Sequence, residues 1–453
     1  MSQFTILHTN DLHSHLAHWP AIRRFLNQRK QELEAKGHTV LTVDLGDFSD
    51  RIHPLTEATS GQANVQLMNQ VAYDYATIGN NEGLSNTKDE LNVLYQAAEF
   101  EVVLANLSDC DTQSLPHWAK SYAVYPLDNG LKLGVVGLTA PFPFSYKPAG
   151  WCVQEACETL THLVPKMLND CDEILLLSHL GKDVDDEIAR AFPMIKIILG
   201  SHTHHLYERG KWVGETLIAA AGKFGYAVGE VTAEVTALGL QPLQARTYPL
   251  TSLPTNVTDE AESDGWFMTG NQELQKQTIG YIDEEWDVEG VSSTFCQKSL
   301  EIIQDYAQAD ISLLNTGLFL KALPKGKVTR YDLHQSLPHP MHLVRIAVKG
   351  TELVEVLDDL YEQSFQHTHY PMIGMGFRGK VFGDLAFRGV TRQADGRYFI
   401  HQQPLEDERV YTMVTVDHLI FIPFFPLLTE KGDVTSLCPS LLREVVGQAI
   451  RDN

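Results

Sequence analysis

The chain has 453 residues, 43% hydrophobic, 9% aromatic and 21% charged, which is the make-up of folded globular protein and implies about two to three domains. Dominant disorder is excluded, and no apolar run approaches the roughly 18–20 residues that a membrane-spanning helix needs. With 35 basic against 58 acidic residues the net charge is −23, which repels a phosphate backbone and excludes a general nucleic-acid polymer as partner.

In chain order, the opening Met1–Leu7 has no basic n-region and no apolar h-region, and the six cysteines form no Cys-x-x-Cys pair. Reduced thiols in a cytoplasmic protein, with no membrane attachment, are the expectation. Short β-branched apolar runs then recur at 4–8, 40–45, 75–78, 101–105, 131–138, 173–177, 195–199 and 216–221, each of strand length. Amphipathic stretches such as 20–36 and 156–168 lie between them, so the first 250 residues read as an α/β domain with a largely covered sheet. A stretch rich in Thr, Ser, Pro, Asp and Glu at 251–265 and a polar segment at 270–277 mark residues 251–280 as a linker with a bridging helix. Residues 281–453 read as a smaller mixed α/β domain, with helical periodicity at 302–307 and 350–361 and strand-like runs at 341–348 and 410–416.

The chemistry sits in the segments directly after the N-terminal strands. The first strand leads into Asn10-Asp11-Leu12-His13-Ser14-His15, the second into Gly46-Asp47, and the third into Gly79-Asn80-Asn81-Glu82. Later come Ser178-His179 and Gly200-Ser201-His202-Thr203-His204. Any one of these histidines alone reads as an ordinary surface or core residue. Together they put Asp11, His13, Asp47, Asn80, His179, His202 and His204 past strand C-termini, where open α/β sheets bind ligands. Oxygen and nitrogen donors without thiolate suit Mn²⁺, Zn²⁺ or Fe²⁺, and seven donors fit two divalent ions sharing a carboxylate. Glycines at 46, 79 and 200 are expected to let the backbone turn sharply there.

These motifs resemble the calcineurin-like metallophosphoesterases, and among them the branch with a C-terminal 5'-nucleotidase domain that includes bacterial 5'-nucleotidases and UDP-sugar hydrolases. The resemblance implies an N-terminal α/β metallophosphoesterase sandwich over 1–250 and a substrate-binding 5'-nucleotidase-like domain over 281–453. It also implies one ion on Asp11, His13 and His204, a second on Asn80, His179 and His202, and Asp47 between them. The implied reaction is two-metal hydrolysis of a phosphate ester or pyrophosphate by a metal-activated water. The implied substrate is a small phosphorylated metabolite, a nucleotide or nucleotide-sugar.

The family reads Gly-Asn-His-Glu followed by an apolar residue and Asp, its His and Asp forming a dyad at the phosphoryl group. Here those positions are Asn81 and Leu84. Asn81 donates a neutral hydrogen bond but no proton, so substrates with stable leaving groups are the expected ones. His15, and less directly His53 and His205, are candidates for a replacement acid.

The second domain departs as well: the family's substrate-facing Arg is Leu320. Phe377 with Arg378 and Phe424 with Phe425 fall near the regions where relatives place their stacking rings, and are the candidate substrate contacts. Two rival readings exist. One is a metal-binding sensor on the same scaffold; the other is an amidohydrolase barrel suggested by His13-Ser14-His15, which would need eight strands closed in a ring.

Overall fold

The computed structural model describes residues 2–372, 374 and 376–452. They form two compact units, one ending at Gly270 and one beginning at Asn271.

The first unit contains two open sheets. In the first, the parallel strands Ser2–Thr9, Thr39–Asp44, Tyr75–Ala76, Glu101–Val103 and Ala119–Lys120 lie side by side. The antiparallel pair Ala227–Thr236 and Gly239–Pro249 extends that sheet beyond Ser2–Thr9. The second sheet runs Lys211–Val213, Thr216–Ala219, Ile195–Gly200, Glu173–His179, Lys132–Thr139, Ala123–Pro126. Their inner faces share one apolar core, Phe4, Ile6, Leu41 and Val43 meeting Val135, Leu175, Leu177 and Leu199. A second apolar cluster joins the second sheet to the helices Ala156–Asp170 and Lys182–Ala191 through Val136, Leu160, Met167, Leu176 and Ile188. This is the expected sandwich. Two open sheets with free edges rule out the closed eight-stranded ring of the barrel reading.

The expected strands appear with shifted ends, the third losing half its expected length. Its ladder holds only Tyr75–Ala76, after which Thr77 donates its amide to the Asp44 carbonyl (3.1 Å) and the chain leaves the sheet. The long hairpin 227–249 has no counterpart among the apolar runs because Thr, Glu, Gln and Arg alternate through it. Glu230, 1% exposed, is its centre. Arg29 (Nε–Oε2 2.7 Å) and Arg246 (Nε–Oε1 3.0 Å) both donate to its carboxylate, as does the Tyr248 hydroxyl (3.1 Å). Burial alone would raise this acid, but the two guanidiniums outweigh it and hold its pKa below 4.5. Its contribution to stability is therefore complete above the unfolded value and is lost as pH falls through the lower folded one. Glu230→Gln is expected to cost about 3 kcal/mol at neutral pH, the low end for breaking a buried pair, because Arg246 can return to water. Urea denaturation of both proteins would show that gap, and it should shrink as the pH falls below the ordinary glutamate value and through the lower folded one.

A helix spans Asp259–Lys276, starting well before the polar 270–277 segment, and the boundary between the units falls inside it. Asp259, Glu260 and Glu262 fill its first turn, where carboxylates suit the helix dipole. Asp259 also receives the Arg24 guanidinium, and Glu262 that of Arg23 (2.8 Å). Gly270 is needed because a Cβ there would collide with the backbone of Pro54 and Leu55.

The second unit is built on a mixed sheet in the order Leu385–Arg388, Ile311–Asn315, Val410–Val416, His342–Lys349, Asp433–Leu441. Ile311–Asn315 runs parallel to Val410–Val416 and the other pairs are antiparallel. The helices Thr294–Ala307 and Gly350–His367 pack on it, each longer than its periodic run. Cys110 and Cys152 are joined by a disulfide, contrary to the expected reduced thiols: pairing of 107–109 with 151–153 brings their Cα atoms to 5.0 Å. No helix among the described residues is long and apolar enough to cross a membrane.

Candidate active site

The parallel strands Ser2–Thr9, Thr39–Asp44 and Tyr75–Ala76 of one sheet, and Glu173–His179 and Ile195–Gly200 of the other, deliver their C-terminal ends to one place. Backbone bonds lock those ends together: Asp11 N–H donates to the Gly46 carbonyl (3.1 Å) and His13 N–H to the Asp47 carbonyl (2.8 Å). The His202 amide donates to the Asp11 carboxylate (3.1 Å), which ties the two sheets.

The side chains converge accordingly. Ligand atoms of Asp11, His13 and His204 lie within 4.8 Å of one another, and so do those of Asp11, Asp47 and His179. His13 Nε2 stands 3.6 Å from Asp47 Oδ2 and 3.9 Å from Asp11 Oδ1, while His204 Nε2 stands 3.7 Å from Asp11 Oδ1. His179 Nε2 is 3.3 Å from Asp47 Oδ2. His202 places its ring centroid 5.3 Å from that of His179. Of the seven candidate ligands, Asp11, His13, Asp47, His202 and His204 adopt left-handed backbone, with φ between 47° and 71°. Strain of this kind collects where geometry is over-determined by function.

The glycines act differently from one another. Gly46 turns the chain (φ +86°), and a Cβ on it would strike Gly79. Gly79 and Gly200 do not take positive φ; a Cβ on Gly79 would occupy the space of Asp47 and His179, and one on Gly200 that of Asp185. Close approach, not turning, is the reason for those two.

The donor set fits divalent cations. His179 Nδ1 faces the Leu45 carbonyl at 2.8 Å, so it carries a proton, and Nε2, directed at Asp47, is the atom that would ligate once a cation replaces its proton. That buried Nε2, and the buried Oδ1 of Asn80, have no hydrogen-bond partner. Asp11 and Asp47 are both buried side by side. Burial, with the Asp47 charge added, raises Asp11 to about 6. Burial also disfavours the Asp47 carboxylate, but His179 and His13 outweigh it and bring its pKa below the usual range. His179 is raised to about 10: desolvation opposes its charge, and Asp47 and Asp11 overcome that. Desolvation brings His202 and His204 down to about 4, the neutral form that ligates.

Asn81 turns inward. Its amide N–H donates to Asp47 Oδ1 (2.8 Å), and its side-chain amide lies 2.8 Å from His13 Nδ1. Leu84 is half-buried. His15 has Nδ1 on the carbonyls of His13 (3.1 Å) and Leu12 (3.2 Å), and its ring stacks on Phe224 at 3.8 Å. His53 caps the helix Pro54–Thr59 by accepting the Leu55 amide, and His205 Nδ1 sits 3.0 Å from Thr203 Oγ1. In the second unit, Phe377 is buried against His339 and His418, and Phe425 is buried beside Phe382. Phe424 stacks on His367 at 3.9 Å, and Arg378 is half-buried with its amide donating to His339 Nδ1 (2.9 Å).

Four supporting residues were not singled out by sequence reasoning. Asn10 donates to Asp11 Oδ2 (2.9 Å) and the Gly222 carbonyl (2.6 Å). Asp50 Oδ2 lies 3.5 Å from His13 Nδ1. Buried Glu82 accepts the amides of Asp47, Ser49 and Gly79 at 2.8–2.9 Å, joining two of the loops. Phe224 covers His13 edge-on at 5.6 Å. Asn10, Asp50 and Glu82 sit inside or beside the motifs and could have been found there; Phe224 carries no such signal.

Comparison with known proteins agrees with this geometry. Residues 4–206 match the model of the calcineurin-like phosphoesterases, and residues 278–421 that of the 5'-nucleotidase C-terminal domain. The chain is 34% identical to the metallophosphoesterase YunD of Bacillus subtilis (strain 168) over 97% of each chain. It is 25% identical to a trifunctional nucleotide phosphoesterase, YfkN, of the same organism, over 78% of this chain and 27% of that one. In fold it is similar to the NAD nucleotidase NadN of Haemophilus influenzae (TM-score 0.68, 16% identity, 99% and 96% of the chains covered). It is also similar to a 5'-nucleotidase precursor of Thermus thermophilus (TM-score 0.56, 20% identity, 99% and 96% covered).

Proposed function

This chain belongs to the calcineurin-like metallophosphoesterases that carry a 5'-nucleotidase C-terminal domain and is a metal-dependent phosphoester hydrolase; from that premise we propose that it uses two divalent ions to cleave a phosphate ester or pyrophosphate bond of a nucleotide or nucleotide-sugar. Asp11, His13 and His204 hold one ion, Asn80, His179 and His202 the other, and Asp47 stands between them. The carrying observation is the convergence of the ligand atoms of Asp11, His13 and His204, and of Asp11, Asp47 and His179, each set within 4.8 Å.

Bound ions of this class polarise the phosphoryl group and acidify water. The chain's own residues fix the geometry. Leu45 sets the tautomer of His179, the His202 amide and Asn10 hold Asp11, and Asn81 and Asp50 flank His13 Nδ1. Nδ1 must carry its proton if Nε2 ligates, and the Asp50 carboxylate, 3.5 Å away, is the acceptor facing it, with the Asn81 side-chain amide 2.8 Å from the same atom. Asn81 thereby acts as a positioning residue. Residues 281–453 are the substrate-binding domain in this reading, with Arg378 and Phe424, the two candidates not fully buried, as its contacts.

The test is hydrolysis of UDP-glucose, AMP and bis-p-nitrophenyl phosphate by protein loaded with Mn²⁺, Zn²⁺ or Fe²⁺. Turnover of the nucleotide substrates supports the reading. No turnover with any of the three metals demonstrably bound would overturn it in favour of the sensor.

A further inference from the structure

A cavity of about 640 Å³ opens beside the metal-ligand cluster, wholly within the first unit, and His204 is part of its wall. That volume lies inside the roughly 300–1,000 Å³ of small-molecule sites. Its charged lining is Glu208, Arg209, Lys223 and Arg246, one anion against three cations, in a chain whose net charge is −23. The local sign is therefore opposite to that of the molecule.

Arg246 is engaged by Glu230, but the other two cations are not. Arg209 and Lys223 have no ion-pair partner among the described residues, and Lys223 Nζ lies 4.6 Å above the Phe224 ring. Arg246 shares the single carboxylate of Glu230 with Arg29. The frame that carries them is fixed. Asn10 holds the Gly222 carbonyl, the Phe224 amide donates to the Asp11 carbonyl (2.7 Å) and the Gly222 amide to that of His205 (3.0 Å), so both neighbours of Lys223 are clamped to the metal-site loops. The Thr247 amide donates to the Glu208 carbonyl (3.2 Å), which ties the Arg209 turn to the Gly239–Pro249 strand. Leu206 and Tyr226 supply exposed apolar surface to the same wall.

We propose that this cavity is an anion subsite in which Lys223 and Arg209 bind a second phosphate of the substrate, next to the phosphoryl group held at the metal ligands. The inference rests on the hydrolase reading above and narrows its substrate class to phosphoanhydrides. Hydrolysis of such a bond forms a P–O bond to the water oxygen and breaks the P–O–P bridge. The bridging oxygen leaves with its electron pair as a phosphate, and one proton is released to solvent. A leaving group that departs as a stable anion beside two fixed cations has no need of the proton donor that Asn81 cannot be.

Calorimetric titration of the full-length protein, with Mn²⁺ in excess, would use the methylene-bridged analogue of uridine diphosphate and the matching uridine monophosphonate. The wild type is expected to prefer the two-phosphate probe. Arg209→Ala and Lys223→Ala should each weaken that probe about tenfold, the scale of a partly exposed charge-assisted contact, and weaken the monophosphonate far less. Lys196→Ala, which removes one positive charge paired to Glu215 elsewhere, controls for overall charge. Unchanged affinity for the two-phosphate probe in a folded double variant would overturn the proposal. So would an equal loss for both probes, which would mean unspecific attraction. Because the readout is binding, it decides the subsite even where hydrolysis fails, and failed hydrolysis with intact discrimination would count against the enzyme reading alone.

Discussion

Alanine in place of Asp47 is expected to lower kcat by more than ~10³-fold, beyond the ~10–100-fold attached to groups that merely orient ligands. Asp47 is 2% exposed and its two oxygens have separate duties. Oδ2 faces both His13 Nε2 and His179 Nε2, while Oδ1 accepts the Asn81 amide. Its removal breaks the contact that joins His13 of one sheet to His179 of the other and takes a carboxylate partner from both buried imidazoles. Metal content by elemental analysis should fall with turnover. A variant that kept both ions and lost less than tenfold in rate would show that Asp47 does not stand between them.

Discrimination by leaving group should be the second large effect, with kcat/KM for UDP-glucose exceeding that for AMP by ~10²-fold or more. General acid assistance is worth ~10²–10⁴-fold when the leaving group is poor and little when it departs as a stable anion. Asn81 and Leu84 offer no titratable proton. His15 is poorly placed to replace them: its Nδ1 faces two carbonyls, so its neutral form carries the proton there, and burial lowers its pKa. Equal rates on the two substrates under one metal would mean that some other group protonates the leaving oxygen.

The first sheet's parallel strands and the chemistry at their ends were legible because both are written locally. Apolar runs such as 4–8 and 40–45 mark strands, and Asp, His and Asn directly after them mark the rim. The illegible parts depend on distant partners. Glu230 makes the 227–249 hairpin look solvent-facing until Arg29 and Arg246 are brought to it. Gly79 reads as a turn residue, whereas its role is set by Asp47 and His179 crossing within a Cβ's reach. Phe377 and Phe425 looked available for stacking by position alone, yet both are buried among rings of their own unit. Lys223 and Arg209 drew no notice, since a charged loop residue acquires meaning only from the cavity it borders.

The left-handed backbone at Asp11, His13, Asp47, His202 and His204 has an evolutionary corollary. Glycine would fit each of those dihedrals without the ~1–2 kcal/mol that an L side chain costs there. Relief of that strain alone would favour glycine at each position, while the buried partners of Asp11 and Asp47 oppose the loss of those two side chains. That all five side chains are present means that the sequence holds them against its own conformational preference.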